Sequence, residues 1–167
     1  MSTRQLFLMR HGKAEAGTSG QRDHERALAP RGLLSAADQA RCFPPAAGDA
    51  MLVSDAVRTQ QTADVLYSTW RDLGIEEADL PLRRDTASGY LATAGQWMDL
   101  IVMQSGHPRL WIVGHNPGIS HLVMELTGDY IGMTTADIVS IALDIPGWPD
   151  IAAGSGRVLH HRTGRGV

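Results

Sequence analysis

The sequence predicts a three-layer α/β fold with a largely parallel central sheet, and three observations support this prediction. Short apolar segments alternate with helical segments, as they do where helices join parallel strands. Residues 110–113 are apolar throughout, which is typical of a central strand covered on both faces. Loop-forming residues follow the apolar segments directly. Because 167 residues suit one globular domain, residues 1–167 are predicted to form a single domain.

The predicted strands are short apolar segments. They lie at residues 5–9, 51–53, 80–82, 110–113, 138–143 and 157–161. The segment 80–82 contains Pro81, which cannot donate to a central ladder, so it is placed at an edge of the sheet. The last two strands are expected to close an edge as a hairpin. Arg162 and Arg165 are expected to belong to a frayed basic tail.

Four helices are expected from the apolar spacing and from residues that commonly begin or end helices. They start near residues 30, 56, 93 and 117 and end near residues 43, 70, 104 and 128. Ser54 and Asp55 are predicted to form the N-cap of the second helix. Asn116 is predicted as the N-cap of the fourth, with Pro117 as its first residue.

Charge and hydropathy patterning exclude two classes of partner. The formal net charge is −3, which provides no broad positive field of the kind that duplex nucleic acid requires. No apolar segment approaches the length of a membrane span. Neither nucleic acid nor a membrane is therefore expected as a partner, and a cytoplasmic location is expected.

Three predicted strands end in side chains that suit a phosphoryl group. Ligands of open α/β sheets bind beyond the C-terminal ends of the strands. These side chains are Arg10 and His11 after the first strand, Arg58 in the first turn of the helix after the second, and His115 after the central strand. Arginine pairs well with phosphate, and helix N-termini add free backbone N–H groups. We therefore expect these residues to face one anion-binding crevice.

Two histidines in such a crevice can divide the chemistry of phosphoryl transfer. Neutral imidazole is a competent nucleophile, and neighbouring cations lower the pKa of a histidine so that it stays unprotonated near neutral pH. One histidine can attack while the other donates a hydrogen bond. Hydrolysis then proceeds by phosphoryl transfer to His11 and attack of water on phosphohistidine, with arginines rather than a metal stabilising the charge. No metal and no cofactor are expected.

Three motifs carry a resemblance to a known family. They are Leu-Met-Arg-His-Gly at residues 8–12, Val-Ser-Asp-Ala-Val-Arg-Thr-Gln-Gln-Thr-Ala at residues 53–63, and Val-Gly-His-Asn-Pro-Gly at residues 113–118. The chain resembles the histidine phosphatase (phosphoglycerate mutase-like) superfamily, and within it the short SixA-type phosphohistidine phosphatases. Residues 23–32 and 133–137 also look like that branch, so the resemblance spans residues 6–143.

The resemblance implies a phosphoglycerate mutase-like fold and a role for five residues. Arg10 and His11 match the signature pair, with His11 as the phosphorylated residue. Arg58 matches the second phosphate-binding arginine, and His115 matches the second catalytic histidine. Arg26 matches a basic, substrate-binding position near the pocket.

The function expected from these observations is that of a metal-independent phosphatase. Its substrate is a phosphorylated protein or a small phosphorylated compound, and phosphohistidine in a protein is favoured. A phosphomutase, a small-molecule phosphomonoesterase and a non-catalytic phosphate-binding module are alternatives. Related mutases carry a longer segment with a glutamate acid before the central strand. Here Asp85 is the only carboxylate between residues 83 and 96, and it is the candidate for a general acid, the alternative being a solvated loop charge. The presence of His11 argues against the non-catalytic module.

Overall fold

The computed structural model describes residues 3–165, which form a six-stranded sheet between two layers of helices. The strands are β1 (Arg4–Arg10), β2 (Ala50–Ser54), β3 (Leu82–Thr86), β4 (Arg109–Gly114), β5 (Ile138–Leu143) and β6 (Gly156–Arg162). The α-helices are α1 (Pro30–Cys42), α2 (Val57–Asp72), α3 (Ala94–Val102) and α4 (Gly118–Thr127). This architecture confirms the predicted three-layer α/β fold. None of the helices among these residues is long and apolar enough to cross a bilayer.

The strand order is β3-β2-β4-β1-β5-β6, and the four strands from β3 to β1 are parallel. Strand β5 runs antiparallel to β1, and β6 runs antiparallel to β5, which confirms the hairpin at one edge. Along the β1–β4 pair, Gln5 lies opposite Arg109 and Arg10 lies opposite Gly114. The residues that follow β1 and β4 therefore emerge side by side at the C-terminal edge of the sheet.

Alternate residues of the central strands face opposite helix layers. Met9 packs with α1 and α2, whereas Leu8 packs with α3 and α4. A fully buried tryptophan anchors each layer, Trp70 on α2 and Trp97 on α3. Burying a large apolar side chain stabilises a fold by about 1.5–3 kcal/mol. These two cores hold the sheet and its C-terminal edge in place.

The edge strand β3 begins later than predicted. The predicted segment 80–82 overlaps β3 only at Leu82, whose backbone N–H donates to the Asp49 carbonyl oxygen at 2.9 Å. Pro81 precedes the strand, and its carbonyl oxygen accepts a hydrogen bond of 2.6 Å from the Tyr67 hydroxyl. Because proline cannot donate a ladder hydrogen bond, pairing starts at the residue after it.

The two predicted N-caps are wrong, because their side chains make longer-range contacts. Helix α2 has no side-chain cap, and the hydroxyl of Ser54 lies 2.7 Å from Nε2 of His115. Helix α4 has Pro117 at its N-cap position. The amide of Asn116 instead donates to the carbonyl oxygen of Met133 at 2.7 Å. Both side chains therefore join segments that are distant in sequence.

Residues 162–164 are held in place by contacts with the rest of the fold. Arg162 ends β6, pairs with the Asp38 carboxylate at 2.7 Å, and donates to the Gln39 side-chain oxygen at 2.8 Å. The backbone N–H of Gly164 donates to the buried carboxylate of Asp137 at 2.9 Å. The prediction of a frayed tail is therefore wrong for Arg162 and Gly164, which α1 and this carboxylate hold, whereas Arg165 is exposed.

Two glycines bring the start of α1 directly against the loop after β1. A Cβ on Gly32 would collide with the backbone of Lys13, and a Cβ on Gly12 would lie 2.7 Å from the carbonyl oxygen of Gly32. We expect Gly32→Ala to lower the free energy of unfolding by about 1–3 kcal/mol, the usual cost of an overpacked contact. Urea unfolding followed by circular dichroism measures this change.

Gly95 in α3 provides a matched control for this substitution. A Cβ there would meet Thr93 Oγ1 at 4.0 Å, which leaves room for a methyl group. Because alanine favours the helix over glycine, Gly95→Ala is expected to raise the free energy of unfolding by up to about 1 kcal/mol. Equal stabilities of the two variants would contradict a tight approach at Gly32.

Candidate active site

Three neighbouring strands bring four candidate side chains to the C-terminal edge of the sheet. Arg10 ends β1 and is followed by His11, Arg58 is the second residue of α2, and His115 directly follows β4. The ring centroids of His11 and His115 lie 5.2 Å apart, and Arg58 Nε lies 3.3 Å from His11 Nε2. The structure thus places His11, Arg58 and His115 in one cluster, with Arg10 adjacent in the chain.

His11 has the orientation and charge state of a nucleophile. Its Nδ1 lies 2.7 Å from the carbonyl oxygen of Gly12, which can only accept, so Nδ1 carries the proton and Nε2 carries the lone pair. Burial is the main reason why the pKa of His11 lies at about 4. The charges of Arg58, Arg10 and Arg26 also lower this pKa, while the hydrogen bond to Gly12 raises it. Near neutral pH the imidazole is therefore neutral.

The two arginines of the site are held by backbone and loop contacts. Arg58 is only 3 % exposed, and its guanidinium donates to the Asp23 carbonyl oxygen at 2.7 Å and to the Asp23 carboxylate at 2.9 Å. Arg10 donates from Nη1 to the carbonyl oxygen of Met133 at 3.0 Å, and its buried Nε has no partner among the described residues. Both side chains are thus fixed in position with donors that can serve an anion.

His115 is the most deeply buried member of the cluster, at 1 % exposure. Its Nε2 lies 2.7 Å from the hydroxyl of Ser54, and its buried Nδ1 has no hydrogen-bond partner within the described part of the chain. Burial first, and then the charges of His11 and Arg58, lower the pKa of His115 to about 3. Near neutral pH this ring is also neutral, and it offers one unpaired nitrogen to a ligand.

Asp23 and Tyr90 also join the site, although the sequence did not single them out. The Asp23 carboxylate accepts hydrogen bonds from the Tyr90 hydroxyl at 2.6 Å and from Arg58, and the Tyr90 ring packs edge-on to His115 with centroids 5.5 Å apart. The hydrogen bond from Tyr90, followed by those from Arg58 and Arg26, holds the pKa of Asp23 well below its usual range. Asp23 stands in the motif at residues 23–32, whereas no sequence signal marks Tyr90.

The remaining two sequence candidates lie further from the cluster. Arg26 donates to the Asp23 carboxylate at 3.0 Å and to the carbonyl oxygen of Glu15 at 3.0 Å, so it contacts the site through Asp23. Asp85 pairs with Arg83 at 2.7 Å and accepts a hydrogen bond from Gln60 at 3.1 Å. Neither of these contacts of Asp85 involves His11 or His115.

The assembled site has the chemistry of a phosphoryl-binding pocket. It combines guanidinium donors with two neutral imidazoles, and the carboxylate of Asp23 beside them is already bound to arginine. Within residues 3–165, no group of three or more histidine, cysteine, aspartate or glutamate side chains is arranged to hold a metal ion. Arg10 and Arg58 supply positive charge at the site.

Sequence comparison with protein families matches the N-terminal half of the chain. Residues 6–80 match the sequence model of the histidine phosphatase superfamily (branch 1), and this region contains Arg10, His11, Arg26 and Arg58. No curated protein matches the chain in sequence. The family match confirms the resemblance for the motifs at residues 8–12 and 53–63, and the third motif, at residues 113–118, lies outside the matched region.

Comparison with solved structures extends over nearly the whole chain. A protein named as the phosphohistidine phosphatase SixA of Nakamurella multipartitia shares 21 % identity with a TM-score of 0.77, covering 97 % of this chain and 96 % of its own. Its counterpart from Agrobacterium tumefaciens shares 20 % identity with a TM-score of 0.77, covering 96 % and 97 %. The protein histidine phosphatase SixA complexed with tungstate shares 22 % identity with a TM-score of 0.74, covering 96 % and 97 %. These likenesses establish a common fold.

Proposed function

We propose that this protein, whose residues 6–80 match the histidine phosphatase superfamily, hydrolyses its substrate through a covalent phosphohistidine at His11, and that phosphohistidine in a protein is its favoured substrate. The orientation of His11 carries the proposal. Its Nδ1–H is tied to the Gly12 carbonyl oxygen, which leaves the neutral Nε2 facing Arg58 inside a cationic pocket. An activated nucleophile beside preorganised donors is the arrangement that phosphoryl transfer requires.

In the first step, Nε2 of His11 forms a bond to phosphorus as the bond from phosphorus to the leaving group breaks. Arg10 and Arg58 donate to the non-bridging oxygens, whose negative charge is spread in the transition state. We assign a third contact with these oxygens to Nδ1 of His115, which has no partner among the described residues and lies on the ring next to His11. In the second step, water attacks phosphorus as the P–N bond breaks, His11 departs as neutral imidazole that keeps its Nδ1 proton, the proton lost by water passes to solvent, and inorganic phosphate is released.

The substrate preference follows from which groups of the site can donate a proton to the leaving group. An alkoxide leaving group needs a proton in the transition state, and a positioned acid typically contributes a factor of about 10²–10⁴. Asp85 is engaged with Arg83 away from the site, and the lowered pKa of Asp23 keeps it ionised at neutral pH. Neither carboxyl group supplies that proton. Phosphohistidine does not need it, because its own imidazole can be protonated from solvent before the P–N bond breaks.

A substrate panel tests this preference. We expect kcat/KM for a phosphohistidine peptide and for an aryl phosphate to exceed that for a sugar phosphate by about 10²-fold or more, because only the sugar alkoxide depends on an acid. Phosphate release by the purified protein measures each value. Asp85→Asn is the matched control and should leave all three values unchanged. Rapid sugar-phosphate hydrolysis that collapses in Asp85→Asn or in Asp23→Asn would identify a general acid and contradict the proposed preference.

A further inference from the structure

A cavity lies next to the proposed phosphoryl site and shares Arg10 with it. Its volume is about 490 Å³. Four cationic side chains line it, those of Arg10, Lys13, Arg31 and Arg165, and none of the described residues in its lining is acidic. We refer to this cavity, defined by these four residues, as the basic cavity. Ser35, which is 4 % exposed, adds a hydroxyl group to the lining.

Backbone contacts hold the segments that carry these cations. The carbonyl oxygen of Lys13 accepts a hydrogen bond of 2.8 Å from the N–H of Ala29, which fixes the loop after β1 against the start of α1. The N–H of Gly164 donates to the carboxylate of Asp137 at 2.9 Å, which fixes the residue before Arg165. The cations therefore converge on the cavity from an ordered backbone, as a binding site requires.

The charge in the basic cavity is largely uncompensated by the protein. Arginines elsewhere pair with carboxylates, as Arg83 does with Asp64 and Arg162 does with Asp38. Lys13, Arg31 and Arg165 make no ion pair within the described residues. The buried carboxylate of Asp137, which holds the lining residues Thr134 and Gly164, sets one negative charge beside these four cations. A concentration of unpaired cations in a chain of net charge −3 indicates a site for an anion.

We propose that the basic cavity binds a second anionic group, a carboxylate or a phosphate, on the same substrate whose phosphoryl group is transferred to His11. This inference rests on the proposed function. Arg10 lines the cavity, and its guanidinium is near enough to lower the pKa of His11, so the proposal places one substrate across both sites. The second group can come from acidic residues beside the phosphohistidine of a protein, or from a second charge on a small phosphorylated compound. In both cases the substrate class is a phosphorylated polyanion.

A binding experiment in a variant that cannot turn over substrate tests the cavity directly. In His11→Ala, 3-carboxyphenyl phosphate is expected to bind about tenfold more tightly than phenyl phosphate, because its carboxylate makes one additional charge-assisted contact. Calorimetric titration measures both dissociation constants. Adding Arg31→Gln should reduce the ratio towards one. Adding Arg41→Gln, an exposed residue of α1 outside the cavity, should leave the ratio unchanged.

A kinetic experiment distinguishes the two sources of the anion. Two phosphohistidine peptides of equal length, flanked by glutamate or by glutamine, are compared by kcat/KM in the otherwise unaltered protein and in Arg31→Gln. A preference for the glutamate peptide that disappears in Arg31→Gln supports an acidic protein substrate. Tighter binding of 3-carboxyphenyl phosphate than of phenyl phosphate, without a preference between the peptides, supports a small compound. The inference is overturned if the two peptides have equal kcat/KM values and the two aryl phosphates bind equally. It is also overturned if these differences persist in Arg31→Gln. Absence of any turnover would contradict the proposed function, while the binding ratios would still decide the role of the cavity.

Discussion

Replacing His11 by alanine is expected to reduce kcat by about 10⁴-fold or more, because the covalent route is lost with the nucleophile. Brief mixing of the unaltered protein with ³²P-labelled substrate should leave label on the protein that resists alkali and is released by acid, as phosphohistidine is. His11→Ala should carry no such label. Steady-state phosphate release and quenched labelling measure the two effects.

The fold of the variant is verified separately, since His11 is buried and its ring contacts Gly12. Circular dichroism and urea unfolding should show a folded protein. His121→Ala serves as the matched control, because His121 is an exposed histidine of α4 outside the site. It should retain full activity and labelling. Retention of labelled phosphate by His11→Ala would place the nucleophile on another residue and overturn the mechanism.

Replacing Arg58 by glutamine is expected to lower kcat/KM by about 10²–10³-fold, the usual cost of removing one preorganised donor from a charged transition state. The variant should also change the pH profile. In the unaltered protein the low-pH limb of kcat/KM reports protonation of His11, whose pKa lies at about 4. Because the charge of Arg58 contributes to lowering this pKa, its removal raises the pKa of His11. The low-pH limb therefore moves to higher pH.

The pH dependence separates this role of Arg58 from a purely structural one. Arg71→Gln is the matched control, because Arg71 lies on the same helix but pairs with the exposed Glu77 at 2.9 Å. Arg71→Gln should change neither kcat/KM nor the low-pH limb of its pH profile. An unchanged limb in Arg58→Gln would show that the cation does not act on His11, and unchanged kcat/KM would remove Arg58 from the proposed mechanism.

The strand ends and the chemistry of phosphate recognition sufficed to predict which residues cluster. His11, Arg58 and His115 each follow a parallel strand, and parallel strands place their C-terminal ends at one edge, so the sequence pattern translates directly into proximity. The layered fold was predictable for a related reason. The apolar segments are long enough to be covered on both faces, and each helix offers a face to cover them.

The contacts that were missed join residues far apart in sequence. A hydroxyl such as that of Ser54 suits a helix cap, and only the packed sheet shows that His115, 61 residues later, is its partner. The hydrogen bond from Tyr90 to Asp23 spans 67 residues and depends on where two loops cross. Local spacing carries no information about such pairs. The basic cavity was missed for the same reason, because Arg31 and Arg165 converge only in the folded chain.

The carboxylate of Asp23 has a consequence for the cycle of substrate binding and release. An unpaired guanidinium as deeply buried as that of Arg58 would impose a large desolvation cost on the free protein. Asp23 removes this cost by acting as an internal counter-ion that is itself half exposed to solvent. In the proposed mechanism, arrival of a phosphoryl group exchanges one anion for another at Arg58, and departure of inorganic phosphate restores the first. The buried cation is thereby neutralised at every stage between successive turnovers.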